Sequence, residues 1–287
     1  MKLFKKMTVI GVGLLGASLA KACRKYNLVE EILGYGRNLE NLKKAKSLGV
    51  IDYYAGDLRE AVKDCDLIVL CTPVSSIIPL IESLLPHLEV GAVITDVGSV
   101  KGPLVHEADK LMPEGIFFVG SHPIAGGEKS GLEASREDLY CGAKCILTPT
   151  VKTNTQALEK VGALWESVGM DNLILDADEH DFVFGAVSHL PHIVAYALMN
   201  TLGALKTNQD HEVTGYSGAG LKDITRIASG DPVMWRDICL LNQKHSLDLI
   251  NRFQKKLNEI SSLIEKNDGQ ALEEAFSAAN KYRMKVI

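Results

Sequence analysis

A glycine-rich turn near the start of the chain most constrains what this sequence can fold into. The segment VIGVGLLGASLA places Gly11, Gly13 and Gly16 in the pattern G-x-G-x-x-G, after a strand-like apolar run and before an alanine-rich helical run. In that setting the glycines allow a tight turn, the close approach of a pyrophosphate, and close packing of helix on strand. The turn, with Leu14 and Leu15 at the helix N-terminus, is therefore predicted to bind a dinucleotide; a turn without a ligand is the alternative.

Apolar runs and amphipathic stretches alternate through the first half of the chain, which is typical of βαβ units in a parallel sheet. The predicted strands are Met7–Val12, Glu31–Gly36, Asp66–Thr72, Ala92–Gly98, Ile116–His122, Lys144–Thr150 and the strand-like run NLILD. After Asp176 the strand signals disappear and helix-period patterns dominate. We therefore predict an α/β protein, with a Rossmann-like dinucleotide-binding domain in residues 1–175 and an all-α domain in residues 176–287.

Several helical segments of the second half are apolar on more than one face. A small helical domain would expose that surface to water unless it packed on a second copy of the chain. We therefore predict a homodimer that forms through this half.

Composition excludes several classes of partner. The 287 residues include 31 Lys and Arg against 36 Asp and Glu, a formal net charge of −5, which argues against a nucleic-acid surface. No uninterrupted apolar run reaches the roughly 18 to 20 residues that span a bilayer, and the N-terminus lacks a signal-peptide cleavage site. The six cysteines form no CxxC pair, which favours free thiols in a reducing compartment. The chain is predicted to be cytoplasmic, without membrane or nucleic-acid partners.

The end of the second predicted strand bears on the choice of dinucleotide. An acidic residue there would bind the ribose 2′-hydroxyl of NAD. This chain instead places Gly36 and Arg37 at that point. A guanidinium accommodates a 2′-phosphate, so the pair favours NADP over NAD. The alternative is that Arg37 only covers the adenine face.

Polar residues follow other predicted strands at the carboxyl edge of the sheet, where ligands bind in open α/β folds. Thr72 and Pro73 end one strand, and the proline keeps Thr72 extended. Ser99 follows another strand, just before a predicted helix. It is interpreted either as a residue of the site or as the N-cap of that helix.

His122 ends a third strand and is followed by Pro123 in the segment FFVGSHPIAGGEKSG. A residue before proline is held in the extended region, so the imidazole has little orientational freedom. Removal of hydride from a carbinol requires a neighbouring group that takes the hydroxyl proton, and imidazole suits that role. His122 is therefore predicted to be an acid/base residue beside the dinucleotide.

A set of motifs distributed in order over nearly the whole chain then resembles a known family. They are GVGLLGASLA, TDVGSVKG, GSHPIAGGEKSGLEAS, CILTPT, VSHLPHIVAYAL and KDITRIASGDPVMWRDI. Together they are similar to the prephenate/arogenate dehydrogenases, the cyclohexadienyl dehydrogenases of tyrosine biosynthesis. The resemblance implies a Rossmann-like domain and a helical dimerisation domain. It also implies NAD(P)-dependent oxidative decarboxylation of prephenate to 4-hydroxyphenylpyruvate, or of arogenate to tyrosine.

The resemblance also implies roles for individual residues. His122 would accept the proton of the ring hydroxyl, and Ser99 would orient that histidine and the hydroxyl. His189 and His192, in the motif SHLPH, would lie at the site, with His192 near the substrate side chain.

Three further residues are implied to contact or support the substrate. Arg226 would bind a substrate carboxylate, Asp223 would stabilise the region around it, and Glu128 would lie at the rim. The family often has threonine where this chain has Gly127. Arg226 as a mere salt-bridge partner of Asp223 is the structural alternative.

The chemistry is plausible on physical grounds, because loss of hydride and CO₂ makes the ring aromatic and requires no metal. Three alternatives stay open at this point. His189 and His192 could form a metal site with His180, although no recurring carboxylate–histidine pair supports it. The chain could be a dehydrogenase of the 3-hydroxyacid type, with Lys222 as the nearest candidate acid/base residue. It could also be a dinucleotide sensor without catalysis.

Overall fold

The computed structural model describes residues 2–127 and 129–286. Its main element is a six-stranded parallel sheet with the strand order β3-β2-β1-β4-β5-β6. The strands are β1 (Phe4–Ile10), β2 (Val29–Tyr35), β3 (Tyr53–Tyr54), β4 (Leu67–Leu70), β5 (Val93–Asp96) and β6 (Phe117–Val119). The predicted parallel sheet is confirmed; β3 was not predicted, because two residues show no periodicity. The order reverses between β1 and β4, where doubly wound folds bind their ligands.

Six helices belong to this half and cover both faces of the sheet. They are α1 (Leu14–Lys25), α2 (Leu39–Ser47), α3 (Leu58–Val62), α4 (Ile77–Leu84), α5 (Gly102–Leu111) and α6 (Thr155–Ser167). Neighbouring residues of β1 point to opposite faces, so Val9 packs in one buried cluster and Ile10 in the other. Strands buried on both faces are expected where helices cover a parallel sheet on both sides.

A second, three-stranded sheet corrects one prediction. It contains β7 (Ser121–Pro123), β8 (Lys144–Leu147) and β9 (Asp171–Ile174), with β7 antiparallel to β8. The strand predicted over Ile116–His122 is therefore two strands in two sheets. The chain leaves the main sheet at Gly120, where an added Cβ would lie 2.8 Å from a methyl carbon of Val105, so only glycine lets the backbone pass.

The second half is helical, as predicted, and the described residues after β9 form no further named strand. The helices are α7 (Ala177–Phe184), α8 (Leu190–Gly203), α9 (Ala219–Thr225), α10 (Pro232–Leu241), α11 (Gln243–Glu265) and α12 (Gly269–Arg283), with a π-helical turn (Gly185–His189) between α7 and α8. Pro232 is the first residue of α10, and the side chain of Asp231 accepts hydrogen bonds from two of its first amides.

One helical run differs from the sequence expectation about membranes. Residues 177–203 form a continuous helix of 27 residues with a mean hydropathy of 1.5, long and apolar enough to cross a bilayer by those two measures. The expectation counted uninterrupted apolar residues and therefore passed over this helix, which begins with a polar stretch and whose apolar remainder is interrupted by single polar residues. Several of those polar residues belong to the candidate site, so the run does not have the uniformly apolar surface of a lipid-facing helix.

Candidate active site

The glycine-rich turn has the geometry that phosphate binding requires. Gly11 has a positive φ of 98°, and a Cβ there would collide with the carbonyl group of Cys71. A Cβ on Gly16 would collide with the carbonyl oxygen of Gly11, because α1 packs directly on β1. Gly13 has no atom within 4 Å of its Cβ position and caps α1 without a side-chain hydrogen bond. The open space at a helix N-terminus fits a dinucleotide pyrophosphate.

The neighbouring residues of the predicted cofactor site lie around this turn. Leu14 and Leu15 form the first turn of α1, and Thr72 follows β4, so both groups lie at the switch point of the sheet. The Thr72 hydroxyl is held by Ser76 Oγ at 2.9 Å, and Pro73 precedes a short 3₁₀ turn.

The edge predicted to select the dinucleotide carries no carboxylate. β2 ends at Tyr35, the space around the Cβ position of Gly36 is open to 4 Å, and Arg37 is exposed. Gly36 would present no steric obstacle to a 2′-phosphate, and the guanidinium of Arg37 would lie beside it as a cation.

A buried ion pair holds the backbone next to His122 at the carboxyl edge of the sheet. Asp96, at the end of β5, and Lys101 are both fully buried and form a salt bridge. Lys101 Nζ also donates to the backbone carbonyl of Ser121 at 3.0 Å, and Ser121 N donates to Asp96 Oδ1 at 3.1 Å. These bonds attach β7 to the end of β5 and fix the backbone beside His122.

His122 is the first member of a hydrogen-bonded chain that joins the two halves. Its Nδ1 lies 2.8 Å from Nε2 of His180, on α7, and His180 Nδ1 lies 2.8 Å from Oδ1 of Asp181. Phe184 packs edge-on against His122, with ring centroids 5.0 Å apart. His180 is thus a partner of His122 and is not grouped with His189 and His192, as the metal alternative required. Among the described residues, no three His, Cys, Asp or Glu side chains form a group that could hold a metal ion.

Asp181 also caps α5. Its carboxylate accepts hydrogen bonds from the backbone amides of Lys101 at 2.7 Å and Gly102 at 2.8 Å. The N-cap residue is Lys101, without a side-chain capping bond, so the interpretation of Ser99 as the N-cap is wrong. A carboxylate from the helical half replaces the local cap that the sequence suggested.

Ser99 instead contacts the next histidine of the site. The imidazole of His189 hydrogen-bonds the backbone carbonyl of Ser99 and contacts Asn242 through Nδ1 at 3.1 Å. Asn242 Nδ2 also donates to the backbone carbonyl of Asp181 at 2.8 Å. The π-helical turn ends at His189, and such turns often occur at functional sites because they redirect side chains.

Burial keeps these histidines neutral at neutral pH. The pKa of His122 lies well below its usual range, first because of burial and then because of the charges that His180, Lys101 and His189 would add. Burial also lowers the pKa of His180, and it lowers the pKa of His189 to about 4. Neutral imidazole offers one ring nitrogen as a hydrogen-bond acceptor, which a general base requires.

His192, on α8, and Arg226, in the turn after α9, extend the site into the helical half. His192 Nδ1 donates to the carbonyl of Ser188 at 2.9 Å, and its ring stacks on Trp235 with centroids 3.7 Å apart. The nearby charge of Arg226 contributes to lowering the pKa of His192, after burial. Arg226 therefore lies close enough to His192 for its charge to act on that imidazole.

Two predicted substrate residues remain, Asp223 and Glu128. Asp223 is exposed on α9, one turn before Arg226, which begins the following 3₁₀ turn. Glu128 lies outside the described residues. Two residues that sequence reasoning missed are Asp181 and Asn242, and His180 was considered only as a metal ligand. The adjacent His-Asp pair in the middle of α7 was the available signal.

Comparison with known proteins covers most of the chain. The family model for the nucleotide-binding domain of prephenate dehydrogenase matches residues 19–173, and the model for its dimerization domain matches residues 176–278. A prephenate dehydrogenase from Bacillus subtilis is 37% identical over 95% of this chain and 74% of its own length.

Solved structures are similar over the full fold. Prephenate dehydrogenase from A. aeolicus, in complex with hydroxyphenyl propionate and NAD+, is 40% identical, with a TM-score of 0.93 over 99% of this chain and 98% of that one. Synechocystis arogenate dehydrogenase is 29% identical, with a TM-score of 0.84 over 98% of this chain and 100% of that one.

Proposed function

Because this chain belongs to the prephenate dehydrogenase family of oxidoreductases, we propose that it converts prephenate to 4-hydroxyphenylpyruvate in tyrosine biosynthesis. The observation that carries the proposal is the His122–His180–Asp181 chain at the edge of the dinucleotide fold. A neutral imidazole whose one nitrogen is already bonded has its other nitrogen free for a substrate proton.

The chemistry requires three events at one substrate ring. His122 Nε2 accepts the proton of the ring hydroxyl, and the O–H electron pair forms a carbonyl as hydride leaves the same carbon. The nicotinamide dinucleotide supplies the hydride acceptor when it is bound. Loss of CO₂ from the opposite ring carbon then leaves its electron pair in the ring, which becomes aromatic while the carbonyl oxygen takes up a proton to form the phenol hydroxyl, and this aromatisation drives the reaction forward.

The remaining residues orient the substrate. Ser99 contacts the hydroxyl and helps to align His122, and His189 and His192 line the site between the two halves. Arg226 binds a substrate carboxylate, for which a guanidinium is suited because it donates two parallel hydrogen bonds. Asp223 supports the arginine, and Glu128, which lies outside the described residues, is assigned to the substrate site only by the family resemblance.

The cofactor is held by Gly11, Gly13 and Gly16 around its pyrophosphate. Leu14, Leu15, Thr72 and Pro73 border it, and Arg37 is positioned to meet a 2′-phosphate. We propose that NADP is accepted at least as well as NAD, which is supported by the open space at Gly36 and the absence of a carboxylate there.

Arogenate is the second candidate substrate, and the similarity to Synechocystis arogenate dehydrogenase favours testing it. Arogenate carries an ammonium where prephenate carries a keto group, so the two substrates differ at the side-chain end of the site, near His192.

We further propose that the chain acts as a cytoplasmic homodimer without nucleic-acid or membrane partners. Residues 1–175 would form the cofactor domain and residues 176–287 the substrate and dimerisation domain. The match of the helical half to a dimerization domain supports the assembly, and the six cysteines, all free, are compatible with a reducing compartment.

Initial rates with prephenate and arogenate, each measured with NAD and NADP, test the proposed function. We expect turnover with prephenate, and an H122N variant should lose about 10²- to 10⁴-fold in kcat, as is typical for loss of a general base. Turnover of a 3-hydroxyacid but not of either cyclohexadienyl substrate would contradict the proposal. An H122N variant with wild-type rates would remove His122 from its role.

A further inference from the structure

The short contact between His122 and His180 requires a defined arrangement of protons. Their ring nitrogens are 2.8 Å apart, so one nitrogen carries hydrogen and the other offers a lone pair. A neutral imidazole has only one N–H, so the nitrogen that each ring uses elsewhere decides which of them donates. The contact alone leaves two arrangements possible.

Asp181 selects one of the two. Its Oδ1 lies 2.8 Å from His180 Nδ1, and a carboxylate oxygen only accepts hydrogen bonds. His180 therefore carries its hydrogen on Nδ1 when neutral, and its Nε2 is the lone pair that faces His122. It follows that His122 donates through Nδ1 and has an unprotonated Nε2, which is the nitrogen that a base needs.

The carboxylate itself is held firmly. The amides of Lys101 and Gly102 donate to its two oxygens, and it is 2% exposed. A Cβ added to Gly102 would lie 3.0 Å from Asp181 Oδ2 and 2.7 Å from an oxygen of Asp178, so glycine is needed for this approach. The close packing of α7 on the start of α5 therefore aligns the carboxylate with His180.

We propose that His180 and Asp181 are positioning residues that hold His122 with its proton on Nδ1 and its lone pair on Nε2, aimed at the substrate hydroxyl. The proposal rests on the proposed role of His122 as the base. In the step, the substrate O–H bond breaks and its proton forms a bond to His122 Nε2. The His122 Nδ1 proton then shifts toward His180 Nε2, which places the new positive charge next to Asp181.

The charged and titratable groups around this pair come from both halves. Lys101 and His189 face His122 along with His180, while Asp181, Lys101 and Asp96 act on His180. Asp181 is the negative group in direct contact with the pair, so its removal should make protonation of the pair harder.

The experiment compares D181N, H180A and H180Q with wild type, using prephenate and NAD over a pH series. We expect D181N to lose about 10- to 100-fold in kcat with little change in KM, and its acid limb of kcat/KM to move about one unit to lower pH. H180A should lose about a hundredfold. H180Q should recover much of that loss, because a glutamine oxygen can accept the His122 Nδ1 hydrogen bond at the position of the missing nitrogen.

The matched control is H106Q. His106 also connects α5 to α7, through a 3.3 Å contact with Asp178, but it is exposed and outside the chain to His122. It should keep wild-type rates and pH dependence. If D181N fails to fold by circular dichroism, the comparison of H180A with H180Q decides the question with Asp181 intact.

Nitrogen NMR of histidine-labelled protein at pH 8 gives a direct readout. We expect His122 to be protonated on Nδ1 in wild type and to become a mixture of the two forms in H180A. A wild-type His122 protonated on Nε2, or an H180A variant with wild-type kcat and pH profile, would overturn the proposal. Inactivity of H122N together with either result would leave the proposed function intact, whereas an active H122N would remove both.

Discussion

The two halves of this molecule bury their apolar side chains in different ways. Two clusters of buried residues, one on each face of the six-stranded sheet, account for most of the buried hydrophobic residues described, and the second of them also includes Ala177, Trp235 and Ile238 of the helical half. In the helical half, α8 buries only Ala195, and α9 and α12 bury no residue. One cluster is therefore built from the sheet half alone, whereas the helical half adds a few buried residues to the other cluster and leaves much of its apolar surface exposed.

A stripe on α11 shows what that surface looks like. Ile250, Phe253, Leu257, Ile260 and Ile264 recur every three or four residues, and all are half-buried or exposed. Such spacing places them on one face of the helix, as in helix–helix interfaces. Together with the match of this half to a dimerization domain, the stripe supports the proposed homodimer and is the candidate contact surface between its two copies.

The largest effect should come from a charge on that stripe. In L257E, each dimer would bury two carboxylates in an apolar contact, and burial of an unpaired charge costs several kcal/mol. We expect the Kd of the dimer to rise at least about a hundredfold, measured by analytical ultracentrifugation. V151E places the same charge on a fully exposed position of the sheet half and should stay dimeric. Equal masses for the two variants would contradict the proposed interface.

The next effect should come from acid, which acts on the buried histidines between the halves. Burial lowers the pKa of His189 to about 4, from 6.5 in the unfolded chain. Between those values the unfolded chain binds a proton that the folded chain does not, so stability falls as pH decreases from about 6.5 to about 4. The loss from His189 alone is about 3 kcal/mol, at about 1.4 kcal/mol per pKa unit.

Urea unfolding at a series of pH values measures this dependence. His122 and His180, whose pKa values burial also lowers, should add to the slope in the same direction. An H189Q variant should have a shallower slope, while H106Q, at an exposed position, should keep it. A stability that is constant from pH 7 to pH 4.5 would show that the histidines are accessible to protons in the folded state.

Alanine substitutions at two glycines of the sheet half should affect different properties, stability at Gly16 and cofactor binding at Gly13. G16A should cost about 1–3 kcal/mol, because its Cβ collides with the Gly11 carbonyl and lies 2.7 Å from a methyl carbon of Val9. G13A meets no atom within 4 Å, and Gly13 has a φ of −97°, so stability should change by less than about 0.5 kcal/mol. NAD affinity, measured by titration calorimetry, should nevertheless fall in G13A. Unchanged affinity would place the pyrophosphate elsewhere.

The smallest effect concerns one bond between the halves. Ser75, after β4, donates to Asp237 of α10 at 2.5 Å. S75A should cost about 1 kcal/mol, since it removes one hydrogen bond to a charged group at the junction. S83A removes an exposed bond to a carbonyl within α4 and should have no measurable effect. Similar melting temperatures for the two variants would show that this bond does not stabilise the junction.

Much of the sheet half could be predicted because its signals are local. The glycine pattern and the apolar runs each lie within a few residues of the structure that they specify. Three features were missed or placed wrongly. β3 is too short to show a period, β7 leaves the main sheet at Gly120, and α5 is capped by Asp181 rather than by Ser99.

In the candidate site, too, the features with a local sequence signal were predicted and those that depend on distant residues were not. His122 was predicted from Pro123 and from its place at a strand end, but its bond to His180 joins residues 58 positions apart in the chain. No periodicity or motif spacing records such a contact, because it forms only when α7 packs against α5.

By itself, the sequence determined the alternation of strands and helices, the dinucleotide turn and the residue types available for proton transfer and carboxylate binding. These depend on backbone conformations and side-chain chemistry that each short segment carries alone. The tertiary structure decided which histidine supports which, how Asp181 serves both a helix terminus and an imidazole, and which apolar faces remain uncovered. Those properties depend on distances between segments, which are set by how the two halves pack.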